Sequence, residues 1–314
     1  MTKGLFLRIP LLVGLLFVLS HMEAQDTKGL EGRWDLTIEK DGKSLPSWLE
    51  IKHSGRSTLV GRFVYAMGSA RPISVVKVDD EGNFRFAIPP QWEEGAEDMI
   101  FTGRLDDDAK RSGSMIYTDG SVSTWTGKRA PILAHNDHPK WGQPIEVFNG
   151  KDLTGWHATK ENQWIVKDGI LTSPKPGANL VTDQKFTDFR LEAEFRYPEN
   201  GNSGIYLRGR HEVQIADSKG MEASDIQFGA IYGFLTPNAM AAGEPGTWQR
   251  YEITLIGQRV TIIANGKAII TDQTIPGITG GALDSDEGAP GSLFIQGDHG
   301  PVEFRKFVVT PVVE

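Results

Sequence analysis

The sequence predicts an all-β protein in which a small barrel or sandwich domain precedes a larger β-sandwich. Turn-forming pairs such as Asp41-Gly42, Asp119-Gly120 and Asn265-Gly266 recur along the chain, which contains 36 glycines. Short stretches of alternating apolar and polar residues lie between these pairs, as is typical of antiparallel sheets, and almost no helix is expected. A length of 314 residues is sufficient for two domains with separate cores.

Residues 1–25 differ in character from the rest of the chain. Lys3 and Arg8 precede an apolar run at 9–19, and the small residues Ser20 and Ala24 follow it. This arrangement is typical of a secretory signal, and an apolar run of about ten residues is too short to span a bilayer. We therefore expect an exported protein, periplasmic or extracellular, with no stable membrane span after removal of the signal.

The composition narrows the classes of partner and chemistry. The chain has no cysteine, which excludes disulfides, thiolate metal sites and a cysteine nucleophile. Its formal charge of −8 and pI near 5.5 argue against a nucleic-acid partner. A neutral partner fits this composition best.

The first domain, at about residues 26–130, is expected to contain eight short strands joined by hairpins. They are predicted at Trp34–Glu39, Trp48–His53, Thr58–Tyr65, Ile73–Val78, Asn83–Ile88, Met99–Leu105, Arg111–Tyr117 and Ser121–Gly127. A linker is expected at 131–144, where the sequence PILAHNDHPKWGQP has three prolines and no periodicity. His135 and His138 in this linker are interpreted as solvated side chains.

The second domain, at about 145–314, contains longer alternating segments. Strands are predicted at 188–197, 247–255, 259–264 and 268–272, and the last two flank Asn265-Gly266, a strong hairpin signal. Because each strand has one apolar and one polar face, we expect two stacked antiparallel sheets.

The segment NSGIYLRGRHEVQIAD, residues 202–217, is predicted to form one long strand with two contrasting faces. Ile205, Leu207, Val213 and Ile215 belong to an apolar row that a second sheet can bury. The opposite row consists of Tyr206, Arg208, Arg210, Glu212, Gln214 and Ala216. Alternate residues of a strand lie about 7 Å apart, so this row is expected to place several hydrogen-bonding groups along one surface.

Seven segments of the second domain, in order, resemble the 3-keto-disaccharide hydrolase family. They are VFNGKDLTGW (147–156), WIVKDGIL (164–171), FTDFRLEAEFR (186–196), NSGIYLRGRHEVQIADS (202–218), GAIYG (229–233), GTWQRYEI (246–253) and IQGDHGPVEFRKF (295–307). The resemblance covers about residues 145–312. It implies a concanavalin-like jelly-roll sandwich that acts on 3-keto-glycosides, although such a sandwich also serves lectins and glycanases.

The carbonyl of a 3-keto sugar acidifies the proton on C2, so removal of that proton can lead to loss of the C1 substituent. Water can then add back to give net hydrolysis, and direct hydrolysis of the glycosidic bond is the alternative. This chemistry requires a general base, a group that holds the enolate oxygen, and an acid near the departing oxygen. Glu212 is the first candidate for the base, and Arg208 either holds the ketone oxygen or pairs with Glu212. His299, in a glycine-flanked loop, is an acid, base or metal-ligand candidate, and Asp217 is a weaker catalytic candidate because it has the opposite strand parity.

Substrate-binding candidates share the same polar surface or carry aromatic faces. Gln214 lies in the row of Glu212, whereas Tyr206, Tyr232 and Trp248 can stack on a sugar ring. Packing of these aromatic rings under loops is an equally good interpretation. No cofactor is required by the reaction, and a divalent ion held by Glu212, His299 and a further carboxylate is an alternative.

Two other functional classes fit the same fold. One is a non-catalytic carbohydrate-binding sandwich. The other is a conventional glycoside hydrolase, which needs two carboxyl groups about 5 Å apart in its retaining form. Glu212 is followed two residues later by Gln214 and not by an acid, so a second carboxylate has to come from another strand, such as Glu192 or Glu194.

Overall fold

The computed structural model describes residues 29–104 and 110–313. The predicted signal at 1–25 lies outside the described residues. All 22 regular elements in the described ranges are β-strands, which confirms the all-β class. These ranges contain no helix long and apolar enough to cross a membrane.

The first eight strands form a closed antiparallel barrel. They are β1 (Gly32–Lys40), β2 (Lys43–Ser54), β3 (Thr58–Val64), β4 (Arg71–Val78), β5 (Asn83–Ile88), β6 (Met99–Arg104), β7 (Lys110–Ile116) and β8 (Val122–Arg129). Each strand pairs with the next one in sequence, and β8 closes the barrel by pairing with β1. Inward-facing aromatic residues fill the interior, where Phe101 stacks on Trp125 and Phe86 at ring-centroid distances of 4.6 and 4.7 Å.

The remaining strands form two sheets. The larger sheet contains β9 (Lys140–Trp141), β10 (Ile145–Glu146), β12 (Ile165–Lys167), β13 (Ile170–Ser173), β15 (Phe189–Arg196), β18 (Gln249–Ile256), β19 (Arg259–Ala264), β20 (Lys267–Thr274) and β22 (Val302–Val313). The smaller sheet contains β11 (Trp156–Ala158), β14 (Leu180–Phe186), β16 (Asn202–Leu207), β17 (His211–Ala216) and β21 (Gly291–Ile295). Because β9 pairs with β22, the end of the predicted linker 131–144 joins the sandwich.

A single apolar core joins these two sheets into the expected jelly-roll sandwich. Phe189, Leu191 and Phe195 of β15 all point into this core with no exposed surface. The four predicted strands at 188–197, 247–255, 259–264 and 268–272 are present as β15, β18, β19 and β20. The buried faces of β15, β18 and β19 follow the alternation, whereas β20, which the hairpin signal located, buries the adjacent residues Ile269 and Ile270.

The prediction of one continuous strand over 202–217 is wrong, because this segment forms the hairpin β16–β17. The chain reverses at Arg208 and Gly209, whose φ angles are 53° and 71°, and the Arg210 amide donates to the Leu207 carbonyl at 3.1 Å. The reversal preserves side-chain parity because Tyr206 lies opposite Glu212. Alternation is consequently unbroken across the turn and gives no signal of the reversal.

The barrel packs directly on the sandwich. Trp48 and Val64 of the barrel form a buried cluster with Ile278, and the Trp48 ring meets Phe234 edge-on at 5.3 Å. The barrel loop at 65–70 lies against the segment before β21, since the Gly281 amide donates to the Ala66 carbonyl at 2.7 Å. This contact brings barrel residues to the polar face of the smaller sheet.

Candidate active site

A small cavity lies where the polar face of the β16–β17 hairpin meets the barrel. Its volume is about 90 Å³. The cavity is lined mainly by polar side chains of the sandwich, together with a short stretch of the barrel. The lining residues are Met67, Gly68, Asn202, Tyr206, Glu212, Gln214, Tyr232, Gly280, Gln296 and His299.

Glu212 is the buried carboxyl group of this cavity. Its exposed fraction is 3%, and burial raises its pKa from 4.5 to about 8, against the opposing effects of Tyr206 and His299. A buried carboxylic acid of this kind is protonated near neutral pH and becomes a strong base when it ionises. Glu212 is therefore suited to proton transfer.

The Tyr206 hydroxyl links Glu212 to the backbone. It lies 2.8 Å from Glu212 Oε2 and 2.7 Å from the Gly280 carbonyl oxygen. A phenol has one hydrogen to donate, so it cannot donate fully to both oxygens. If Glu212 is protonated, its proton can be donated to the Tyr206 oxygen while Tyr206 donates to Gly280. If Glu212 is ionised, Tyr206 can turn its hydrogen to the carboxylate. The contact accommodates both protonation states of the proposed base.

The other carboxyl oxygen of Glu212 is confined by β16 and by Gln214. With the Gln214 amide nitrogen turned toward β16, it donates to Glu212 Oε1 at 3.2 Å and to the Ser203 carbonyl at 3.0 Å. Gly204 supplies the space for Glu212, because a Cβ at that position would lie 2.8 Å from Glu212 Cγ and closer still to Oε1. The hairpin therefore fixes the carboxyl group on both sides.

His299 is the cavity residue that can carry a positive charge. Its Nδ1 lies 2.6 Å from Asp298 Oδ1, and this hydrogen bond raises the pKa of the imidazole. Asp298 and Glu212 both favour its protonated form electrostatically. His299 can thus act as an acid or stabilise developing negative charge, in keeping with its position in the loop between β21 and β22.

Two further side chains present acceptor atoms without protein partners. Asn202 Oδ1 and Gln296 Oε1 are buried atoms that make no hydrogen bond to other described residues. Gln296 is 7% exposed and both residues line the cavity. Buried acceptors are normally satisfied, and the hydroxyl groups of a sugar would supply the missing donors.

The structure groups five of the predicted site residues and places three elsewhere. Glu212, His299, Tyr206, Gln214 and Tyr232 line the cavity. The Tyr206 ring stacks on Phe294 at 3.8 Å, so this residue contributes its hydroxyl to the site and not a free ring face.

Arg208, Asp217 and Trp248 do not line the cavity. The buried Arg208 guanidinium donates to the Gly257 carbonyl, and burial lowers its pKa to about 10. The Asp217 carboxylate accepts a hydrogen bond from the backbone N–H of Asn200 at 2.9 Å. Trp248 lies against two arginine side chains, Arg196 and Arg305, at 4.8 and 4.5 Å.

The proposed second acids of a conventional glycosidase also lie elsewhere. Glu192 pairs with Lys306 at 2.6 Å, and Glu194 pairs with Arg305 at 2.5 Å, all on the larger sheet. Glu212 is the one carboxylic acid among the described residues that line the cavity. This arrangement differs from the paired carboxylates of a retaining glycosidase.

Sequence reasoning missed Met67, Gly68, Gly280 and the site role of Asn202 and Gln296. The two amides lie within segments that carry the family resemblance, which is the signal that points to them. Met67 and Gly68 belong to the barrel, and nothing in the sequence pattern places them beside the second domain.

Two observations concern other parts of the described chain. No group of three or more His, Asp or Glu side chains in residues 29–104 and 110–313 is arranged to hold a metal ion. A larger open groove of about 650 Å³ runs across the barrel beside Lys77, Arg85 and Thr102. We favour the smaller cavity as the candidate site because it combines the buried acid Glu212 with an imidazole whose pKa is raised by Asp298.

Comparison with known proteins supports a carbohydrate-related role. A family model described as a 3-keto-alpha-glucoside-1,2-lyase-like domain matches residues 143–310. A 3-keto-disaccharide hydrolase of Bacteroides thetaiotaomicron is 27% identical over 95 residues, which span 26% of this chain and 31% of that relative. The match therefore spans less than one third of the curated relative's length.

Solved structures with similar chains include two provisionally assigned glycosyl hydrolases of Parabacteroides distasonis. One is 27% identical with a TM-score of 0.48, and the alignment covers 58% of this chain and 94% of that one. The other is 22% identical with a TM-score of 0.45, and the alignment covers 55% of this chain and 100% of that one.

Proposed function

The chain belongs to the 3-keto-alpha-glucoside-1,2-lyase-like family, and we propose that it is a carbohydrate-active enzyme that cleaves the glycosidic bond of 3-keto-glycosides. The observation that carries this proposal is the buried Glu212, held by Tyr206 in the same small cavity as His299. The chemistry of a 3-keto sugar requires a base, a group that stabilises the enolate oxygen and an acid; Glu212 is suited to the first role and His299 to the other two.

The proposed reaction begins with proton transfer from C2 of the sugar to ionised Glu212. The electrons of the C2–H bond form an enolate whose oxygen is on C3, with its charge stabilised by the His299 imidazolium. The enolate then re-forms the ketone and a C1–C2 double bond as the C1–O bond breaks. His299 donates its proton to the departing oxygen, which leaves as an alcohol.

Addition of water completes net hydrolysis. Neutral His299 accepts a proton from water as the oxygen bonds to C1, and protonated Glu212 returns its proton to C2. Both side chains then recover their starting protonation states. The cycle uses no redox cofactor, because the ketone is already present in the substrate and is retained in the product.

The buried environment of Glu212 supports its role as the base. A base with a pKa near 8 accepts a carbon-bound proton more strongly than an ordinary carboxylate does. The acceptor atoms of Asn202 and Gln296 can orient the sugar hydroxyls around it, so that C2 faces the carboxylate.

The direct test uses the mature protein with a 3-keto-glucoside and the matching unoxidised glucoside, each with and without a chelator. We expect aglycone release from the keto substrate alone. Loss of activity with chelator, restored by a divalent ion, would support the metal-assisted alternative. Binding of either sugar without any product would contradict the proposed enzyme and support a carbohydrate-binding domain.

We also propose that the chain acts outside the cytoplasm, on the strength of the basic and apolar composition of residues 1–25. N-terminal sequencing of protein from periplasmic and culture fractions tests this proposal. A mature N-terminus near Gln25 is expected, whereas full-length protein in the cytoplasmic fraction would contradict it.

A further inference from the structure

The cavity is too small to enclose a whole glycoside, so part of the substrate must lie outside it. About 90 Å³ is well below the ~300–1,000 Å³ of pockets that enclose a drug-sized ligand. The cavity can enclose at most one sugar ring, and the group attached to C1 must extend past its rim. Residues on the rim therefore determine which leaving groups are bound.

Two exposed apolar side chains of the barrel stand at this rim. Met67 lines the cavity and is 41% exposed, and the neighbouring Trp92 is 50% exposed. A Cβ on Gly68, another lining residue, would lie 2.5 Å from Trp92 Nε1, so the indole adjoins the cavity wall. Trp92 packs on Tyr65 at 6.2 Å in a stacked geometry, which supports one side of its ring.

The two loops that carry these side chains are fastened together. Arg71 and Glu93 form a two-bond ion pair at 3.2 and 3.0 Å, and both side chains are less than 10% exposed. The Gln91 side chain also donates to Ser69 Oγ at 2.6 Å. Charge-assisted paired hydrogen bonds of this kind are strong and directional. The position of Trp92 beside the cavity is thus held before any ligand binds.

We propose that Trp92 and Met67 of the barrel form the subsite for the leaving group, and that its preferred occupant is a second sugar ring. Sugar rings present apolar C–H faces that stack on exposed indole rings, and methionine adapts to their irregular edges. The inference rests on the proposed function, because that function places the oxidised ring in the cavity. It assigns the barrel a direct role in selecting disaccharides over simple glycosides.

The test compares the 3-keto form of a glucosyl-glucose disaccharide with methyl 3-keto-glucoside. Trp92→Ala is expected to lower the ratio of the two kcat/KM values, disaccharide over methyl glycoside, by about fivefold, the effect of losing ~1 kcal/mol of stacking. Trp92→Phe should keep the ratio within about twofold because an aromatic face remains. Met67→Ala, which leaves the Trp92–Tyr65 contact in place, should lower the ratio in the same direction.

Val122→Ala serves as the matched control, since Val122 is a 65% exposed apolar residue of the same barrel and does not line the cavity. The dissociation constants of both keto-glycosides, measured by calorimetry on Glu212→Gln protein with and without Trp92→Ala, provide a second readout. The ratio of affinities should fall by the same factor. An unchanged ratio in both assays, or no binding of the disaccharide, would overturn the subsite. If wild type shows no turnover but Trp92→Ala still lowers the ratio of disaccharide affinity to methyl-glycoside affinity, the proposed function is overturned and the subsite is retained.

Discussion

Replacing Glu212 by Gln should abolish most of the activity and stabilise the protein at alkaline pH. Glutamine keeps the shape of the side chain but cannot accept a proton from C2. Loss of a general base typically costs about 10²–10⁴-fold in rate, and we expect kcat for a 3-keto-glucoside to fall within this range. The expected gain in stability at alkaline pH follows from the burial of the carboxyl group.

The pH dependence of that stability has a definite sign. Below pH 4.5 the carboxyl group is protonated in both the folded and the unfolded chain, so it has no effect. As the pH rises toward about 8, the unfolded chain ionises first and the free energy of unfolding falls by about 1.4 kcal/mol per pH unit. Above about pH 8 the loss levels off, with an upper limit of about 5 kcal/mol. Glu212→Gln removes this loss.

The assay combines steady-state kinetics with urea unfolding at pH 5 and pH 9. The variant should exceed wild type in free energy of unfolding by less than about 1 kcal/mol at pH 5 and by several times that at pH 9. Glu222→Gln, which removes an exposed carboxylate, is the control and should change neither activity nor the pH profile of stability. Undiminished turnover by Glu212→Gln would refute its assignment as the base, and equal stability at pH 9 would refute the argument from burial.

Three further predictions concern the surroundings of Glu212, His299 and Asp35. Gly204→Ala should lower kcat at least tenfold and destabilise the fold by about 1–3 kcal/mol, because the new methyl group would overlap the Glu212 carboxyl group. Steady-state kinetics and thermal unfolding measure the two effects. Asp298→Asn should move the limb of the pH profile of kcat/KM that reports His299 to lower pH, because the hydrogen bond that His299 donates to Asp298 raises the pKa of the imidazole. Asp35→Asn should raise the free energy of unfolding at pH 9 by about 2 kcal/mol and leave it unchanged at pH 3, because burial, and then Glu287, raises the pKa of Asp35 to about 8.

Controls for these predictions come from matched positions. Gly288→Ala introduces a methyl group with ordinary contacts of 3.6 Å and more, so it should retain activity and stability. An Asp298→Asn profile identical to that of wild type would exclude the aspartate as the group that tunes the imidazole. Glu81→Gln, at an exposed turn of the barrel, should not reproduce the alkaline stabilisation expected for Asp35→Asn. If it does, a general charge effect and not burial explains the change.

Much of the fold was predictable because strand alternation is a local property. Side chains at Phe189, Leu191 and Phe195 alternate with charged neighbours, and any sheet that buries one face must place them inside. The same reasoning put Tyr206, Glu212 and Gln214 on one polar surface. It could not reveal the turn at Arg208 and Gly209, because a reversal that keeps parity leaves the pattern intact.

The sequence by itself determined the all-β class, the faces of the strands, the polar surface around Glu212 and the resemblance that points to 3-keto sugars. Only the tertiary structure decided that Tyr206 meets Glu212 across a hairpin, that Arg208 binds the Gly257 carbonyl away from the cavity, and that Met67 of the barrel closes the site. The reason is physical. Alternation fixes which side of a strand a residue occupies, whereas contacts between residues far apart in sequence depend on how strands and domains pack, and burial then sets the pKa of the acid they enclose.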